Sequence, residues 1–427
     1  MRNRRNTRRK NIVLDTITNK NFIIIVSILL AIIIISIGTI QYRKYQDKML
    51  LAKQAEELEK QTGEIFTSME KELNGATESG AVARTATAKI AAVGDILCQM
   101  DMIEDAYSNG TYDFSSMFSN ITKFVKNSDI AIGTLETNFI EGKYSGVKKY
   151  NSPIEFLTAV KQSGIDLVSL AHNHELDYRI NGLNETIAKV QEQNISITGI
   201  SNNKENENKE FTGIIKEING IKIAFIGYTY GLSNENGLSE EEKSIANIYS
   251  EELAKKDLEY AKENSNYIIA IMHWGDVNTS TISEYQNNIT AFFVNNGVDM
   301  ILGTHPAVVE PMKIIQDSEG KNILVAYSLG NYISTLNYEN ADVELILNIQ
   351  IAKSSDSDKA VLQKVDYTPI YLLDNGTKAE NRFELTDMKQ LARDYANGDT
   401  SRISRKTYDK LIVKLDELQK IVNNRYQ

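Results

Sequence analysis

The chain has 427 residues, an ordinary apolar share of 42% and a formal net charge of −10. Its length allows two or three domains, and the single cysteine, Cys98, excludes an internal disulfide. The acidic balance excludes the broad basic face that nucleic acid requires, so no nucleic-acid partner is expected.

The first predicted element is a membrane span. Residues 22–40 run for 19 positions without a charge and are dense in isoleucine. As a helix they would span about 28 Å, close to the hydrocarbon thickness of a bilayer. Seven basic residues against Asp15 alone give residues 1–20 a charge of +6, which leaves −16 for the rest. Positive residues stay in the cytoplasm, so the reading is a cytoplasmic segment over 1–20, a transmembrane helix over 21–41 and an extracellular remainder. A cleaved signal peptide is the alternative. The run is long for one, and no small-x-small site follows it.

Residues 42–88 read as a helical stalk and linker. Leu51, Ala55, Leu58, Thr62, Ile65 and Met69 form a short heptad-like seam. Such a seam suits a homodimer through the stalk or, equally, a solvated spacer. The stretch 74–88, NGATESGAVARTATA, is small and polar like a flexible linker.

From Lys89 the chain alternates apolar runs with amphipathic stretches. The runs include KIAAVGDIL, DIAIGTLETNF, IDLVSLAHNH, IKIAFIGYT, YIIAIMHWG, VDMILGTHP and ILVAYSLGN. This alternation predicts an α/β layered domain over 89–375. Two acidic inserts, 201–210 and 232–244, read as surface loops, the second as a rim of the site. After Asn331 two long strands form a hairpin, and 376–427 is a helical region.

All four histidines, His172, His174, His273 and His305, follow apolar runs within a few residues. Strand ends on one side of an open α/β sheet are where ligands bind. Asp95, Glu136, Asn173, His174, His273 and His305 therefore offer carboxylate, amide and imidazole groups from separate loops. That set suits Mn, Fe, Zn or a similar ion. It does not suit a structural zinc site, which would be cysteine-rich. No GxSxG elbow and no GxxxxGK[ST] run is present.

The blocks Gly94-Asp95, Leu135-Glu136, Ala171-His172-Asn173-His174 with Asp177-Tyr178, His273-Trp274-Gly275, Gly303-Thr304-His305-Pro306 and Tyr327-Ser328-Leu329-Gly330-Asn331 together resemble the CapA family. Its members are capsule-synthesis, poly-γ-glutamate-associated proteins. The resemblance covers about residues 89–335. It implies a four-layer metallophosphoesterase-like β-sandwich flanked by helices and preceded by one transmembrane helix. It further implies a divalent metal held by Asp95, Glu136, Asn173, His273 and His305, with His174 and Asp95 as catalytic groups. His172, Asp177, Tyr178, Trp274, Tyr327 and Asn331 are expected to touch substrate or support the ligands from behind.

The sequence departs from the phosphoesterase pattern where two histidines would serve one ion. Leu97 and Ala307 stand there. One strong metal position is therefore expected, and a second that is weak or absent. Restoring histidine at 307 should raise the metal stoichiometry. Thr134 replaces the asparagine usual before Leu-Glu, which should loosen that loop.

The resemblance implies synthesis, export or surface handling of an anionic capsule polymer such as poly-γ-glutamate, by a metal-dependent hydrolase or transferase. The alternative is a non-catalytic assembly subunit. Other capsule-synthesis membrane subunits are the expected partners. Lys143, Lys148 and Lys149 are candidates to meet the polymer; a solvated loop is the other reading.

Overall fold

The computed structural model describes residues 24, 26–47, 49, 50, 53, 85–201, 210–233 and 235–422. The basic segment 1–20, the seam from Leu51 to Met69, most of the 74–88 linker and residues 202–209 of the first insert lie outside the described residues.

These residues fall into two units. One holds an apolar helix, α1 (Val26–Asp47), together with Arg393–Ile403. Helix α1 is long and apolar enough to cross a membrane, which fits an anchor or a signal sequence. It continues past the expected end at residue 41, through Arg43, Lys44 and Asp47.

The other unit is built on two mixed sheets. The first contains β1 (Thr85–Ile96), β4 (Ile130–Leu135), β7 (Leu167–Ser169), β8 (Ser196–Thr198), β15 (Asn331–Ile333), β16 (Val343–Ser354), β17 (Val361–Asp374) and β18 (Phe383–Asp387). Their order is β18-β17-β16-β1-β4-β7-β8, with β15 paired to the end of β1. The second contains β9 (Ile214–Ile218), β10 (Ile221–Thr229), β11 (Tyr267–His273), β12 (Met300–Thr304), β13 (Met312–Gln316) and β14 (Asn322–Ala326), in the order β13-β14-β12-β11-β10-β9. Two small hairpins, β2–β3 (Tyr107–Ser108 and Thr111–Tyr112) and β5–β6 (Ser145–Val147 and Lys149–Asn151), stand outside the sheets.

Helices cover the outer faces. On the first sheet these are α2 (Met100–Ala106), α3 (Ser115–Phe118), α4 (Thr122–Val125), α5 (Ile154–Ser163) and α6 (Arg179–Glu192). The second insert carries one turn, α7 (Glu240–Lys243), closed by a capping box between Ser239 and Glu242. Helices α8 (Glu251–Asn264) and α9 (Glu284–Asn295) lie on the second sheet.

Side-chain parity explains the layering. Along β11, Ile268, Ala270 and Met272 join the apolar cluster beneath α8 and α9. Tyr267, Ile269 and Ile271 point the other way and are also buried. In β1, Ala91 and Val93 belong to the helix-side cluster, while Ala88, Ile90 and Ala92 are buried on the opposite face. Strands buried on both faces read as continuous apolar runs. β1 lies against β10 and β12, so the layers run helix, sheet, sheet, helix.

β1, β4, β7 and β8 run parallel, as do β10, β11, β12 and β14. Within each set the C-terminal ends gather on one side. The Tyr327–Asn331 block crosses from β14 in the second sheet to β15 in the first. Asp95 N–H donates to Gly330 O at 3.2 Å, and Leu329 N–H donates to Gly303 O at 3.0 Å. A Cβ at Gly94 would lie 1.8 Å from Gly330 O, and one at Gly303 would lie 1.8 Å from Tyr327 O. Only glycine permits that approach at either place.

Two element boundaries differ from the sequence reading. β1 begins four residues before Lys89, because Thr85–Ala88 pair with Ile351–Ser354 of β16. The region 376–427, expected to be helical, first carries β18, paired with β17, before α10 (Met388–Ala396) and α11 (Arg405–Val422). Helix α11 packs on the sheets' unit through buried Leu411, Leu415, Leu418 and Val422. Lys410 and Lys414 both bond Asp342, at 2.7 and 2.6 Å.

Candidate metal centre

Each site residue sits at or just past the end of a parallel strand. Asp95 ends β1, Glu136 follows β4, and His172, Asn173 and His174 follow β7. His273 ends β11, and His305 follows β12. Thr304 Oγ1 donates to Thr134 Oγ1 at 3.3 Å, a bond between the two sheets. Thr134 is thus buried and tied, which gives no sign of the looseness expected from its replacing asparagine.

Ligand atoms of Glu136, His273 and His305 all lie within 4.8 Å of one another. His273 Nε2 is 3.1 Å from His305 Nδ1, 2.9 Å from Asn173 Oδ1 and 4.0 Å from Glu136 Oε1. Its other nitrogen, Nδ1, lies 3.1 Å from Thr304 Oγ1 and 3.3 Å from Asp95 Oδ1. The Thr304 hydroxyl proton is given to Thr134, so Thr304 Oγ1 accepts from His273 Nδ1–H. With the hydrogen on Nδ1, the Nε2 lone pair would face Glu136, His305 and Asn173 Oδ1, the arrangement a bound ion requires. An imidazole bound to a metal is held in this way. Two imidazoles, a carboxylate and an amide oxygen fit a divalent Mn, Zn or Fe ion.

The electrostatics agree with a site built for a cation. Burial, then Asp95 and Asp177, pushes the Glu136 carboxyl well above its ordinary range. Burial first, with His273 and His174 adding to it, holds both His172 and His305 well below the usual imidazole value. Neutral imidazoles are what a metal needs, and a bound ion would reverse the penalty on ionised Glu136.

Asp95 has one oxygen committed to the backbone and one, Oδ1, buried with no hydrogen-bond partner. Its Oδ2 accepts the His305 N–H at 2.7 Å, and its Oδ1 faces His273 Nδ1. It lies behind the triad and orients two of its members. His305 has φ +98, a conformation rare for a side-chain-bearing residue, and the Asp95 bond holds it. The positions expected to lack a second ion's ligands are filled. Leu97 is fully buried, and Ala307 is buried at φ +63 with its carbonyl accepting Asn331 Nδ2 at 3.3 Å.

His174 and Asp177 form a pair, with Nδ1 and Oδ2 2.9 Å apart, and His174 stands edge-on to Tyr150. His172 faces inward, its Nδ1 accepting the His174 N–H at 3.1 Å. Lys149 Nζ donates to the Asp177 carbonyl at 2.8 Å and lies over the Tyr178 ring. Trp274 and Tyr327 are not brought to the opening. Both are buried and stacked 6.0 Å apart in the helix-side core of the second sheet, where Trp274 Nε1 donates to Tyr327 O. Their place corrects any expectation of substrate contact there.

Two residues not singled out from the sequence join the site, one of them, Ser233, in the insert 232–244 expected to rim it. Tyr230, just past β10, is partly exposed and lies over His305 at 4.7 Å between ring centroids. Ser233 Oγ accepts Asn173 Nδ2 at 2.7 Å. The run IKIAFIGYT ends at the same edge as the others, and that was the available signal.

Residues 89–336 match the model of the bacterial capsule synthesis protein PGA_cap. The chain is 24% identical over 340 residues to the capsule biosynthesis protein CapA of Bacillus anthracis, covering 76% of this chain and 77% of that one. It is 23% identical over 245 residues to the PGA biosynthesis protein CapA of Bacillus subtilis, covering 56% of this chain and 62% of that protein, under two thirds of its length. Among solved structures, a calcineurin-like phosphoesterase of Bacillus subtilis superposes with a TM-score of 0.41 and 14% identity, over 79% of this chain and 98% of that one. The NAD nucleotidase of Haemophilus influenzae gives 0.41 and 16%, over 79% and 61%. The chain belongs to the bacterial capsule synthesis protein PGA_cap family.

Proposed function

We propose that this protein is a membrane-anchored, metal-dependent hydrolase or transferase that handles an anionic capsule polymer such as poly-γ-glutamate on the outer surface. The observation that carries the reading is the convergence of Glu136, His273 and His305 within 4.8 Å. A divalent ion there would polarise a substrate oxygen and supply an activated water. Glu136, His273, His305 and Asn173 Oδ1 would hold it. Asp95 and Thr304, beside His273 Nδ1, would favour the tautomer that turns the Nε2 lone pair to the ion. His174, oriented by Asp177, is placed to move a proton to a leaving group. Helix α1, read as an uncleaved anchor, puts the sheets outside the cell, where other capsule-synthesis membrane subunits and a second copy through the stalk are the partners.

One observation favours a second reading, an assembly subunit that binds without turnover. Leu97 and Ala307 supply no ligand atoms for the second ion of a two-ion centre, the kind that clamps both attacking and leaving oxygens. The test is hydrolysis of short poly-γ-glutamate chains by the full-length protein in detergent with Mn²⁺ or Zn²⁺. Turnover that stops with chelator and falls at least about a hundredfold in His273→Ala supports the enzyme. Binding of the chains without any turnover supports the assembly subunit.

A further inference from the structure

We propose that Ser233, His174 and Asp177 form a nucleophilic triad that cleaves a carboxylic amide or ester through an acyl-enzyme. This goes beyond the metal-dependent reading, with which it shares His174, Asp177 and Asn173. Nδ1 of His174 lies 2.9 Å from Asp177 Oδ2, and its Nε2 lies 3.5 Å from Ser233 Oγ. A loose contact between base and nucleophile is common before substrate binds.

The hydrogen bonds around these atoms assign the protons. Asp177 is a buried carboxylate whose Oδ2 also accepts the Tyr150 N–H at 3.0 Å. With the hydrogen of this pair on His174 Nδ1, Nε2 presents its lone pair towards Ser233 Oγ. Ser233 Oγ accepts from Asn173 Nδ2 at 2.7 Å. That bond occupies one lone pair and leaves the hydroxyl hydrogen free for His174 Nε2. The Ser233 N–H donates to Asn173 O at 2.8 Å, so the serine is anchored on both sides although it is exposed. An exposed serine fixed by two bonds at the mouth of a buried polar site is accessible to a bulky acyl substrate.

In the reaction, Ser233 Oγ bonds to the carbonyl carbon and its proton passes to His174 Nε2. The carbon–nitrogen or carbon–oxygen bond then breaks, and the leaving group takes that proton. Water attacks the Ser233 ester, gives a proton to His174, and releases the acid with the serine restored; an amine in place of water would give transfer. Asp177 acts through His174 and is a positioning residue.

The test is labelling of the full-length protein in detergent with a fluorophosphonate probe, in which a serine–phosphorus bond forms and fluoride leaves. Peptide mapping should find the label on Ser233, with and without chelator. Ser233→Ala should lose it, and His174→Ala should slow it at least about a hundredfold. Asp177→Asn should slow it as well, with part of the rate returning in Asp177→Glu. Labelling of Ser233 no faster than that of other surface serines, or as fast in His174→Ala, would overturn the proposal. Chelator-resistant labelling beside absent metal binding would sink the metal reading alone, and the reverse would sink the triad alone.

Discussion

The two halves of the polar pocket differ in what their side chains are free to do. In one half, Glu136, His273 and His305 point ligand atoms at one another, and Asn173 Oδ1 closes on the same point. In the other, Asp95 gives one oxygen to the His305 N–H, Leu97 fills the core, and Ala307 offers no ligand atom. The lesson is that a carboxylate at a ligand position can be converted into a support for its neighbours. The first half can take a cation, and the second braces it.

The largest expected effect is on the ligands themselves. His273→Ala should weaken Mn²⁺ or Zn²⁺ binding by more than about a hundredfold, read by calorimetry. Asp95→Asn, which touches only the bracing half, should weaken it by about 10–100-fold, the range for partners that orient a ligand. Equal losses in the two variants would erase the distinction between the halves.

Proton competition sharpens the same contrast. The Glu136 carboxyl is raised well above its ordinary range by burial and by neighbouring Asp95 and Asp177. A metal needs it ionised, so the apparent affinity should fall about tenfold per pH unit once pH drops below that raised value. Glu136→Gln should bind more weakly at neutral pH and lose this carboxyl's share of the dependence. An unchanged slope would remove Glu136 from the ligand set.

Ala307→His was expected from sequence to add a second ion. The structure predicts instead that elemental analysis still finds one per chain, because Asp95 Oδ2 stays tied to the His305 backbone. Two ions would show that the bracing half is convertible after all. A smaller effect concerns stability. Asp95→Ala orphans the His305 N–H and should cost about 1–3 kcal/mol, read as a lower Tm.

The smallest effect lies just outside both halves. Glu175 is buried with neither carboxylate oxygen bonded, and burial alone raises its pKa well above the ordinary value. Its raised folded-state pKa adds stability below the ordinary glutamate range, and that stability is lost as pH rises through the raised value. Glu175→Gln should leave Tm nearly unchanged near pH 5 and raise it relative to the parent at alkaline pH. A parallel pH profile would contradict this.

Much of this was legible in the sequence. Strands buried on both faces announce themselves as apolar runs, and their polar ends share one edge because the ladders are parallel. His273, His305, Glu136 and Asn173 were found on that ground. Trp274 and Tyr327 lie on the buried, helix side, and adjacency in sequence does not say which face a side chain takes. Tyr230 and Ser233 were passed over because their strand end carries no imidazole or carboxylate. Thr85–Ala88 looked like linker because small polar residues form a strand only when a partner such as β16 lies alongside. The division of labour between Asp95 and Glu136 depends on a bond to a backbone 210 positions away, and no local pattern encodes it.

The central claim is tested most directly by anomalous diffraction from crystals of the full-length protein grown with Mn²⁺. The account predicts one ion per chain, bound by Glu136, His273 and His305, with Asp95 still bonded to the His305 N–H. Two ions, or an ion bound through Asp95 in place of Glu136, would contradict it.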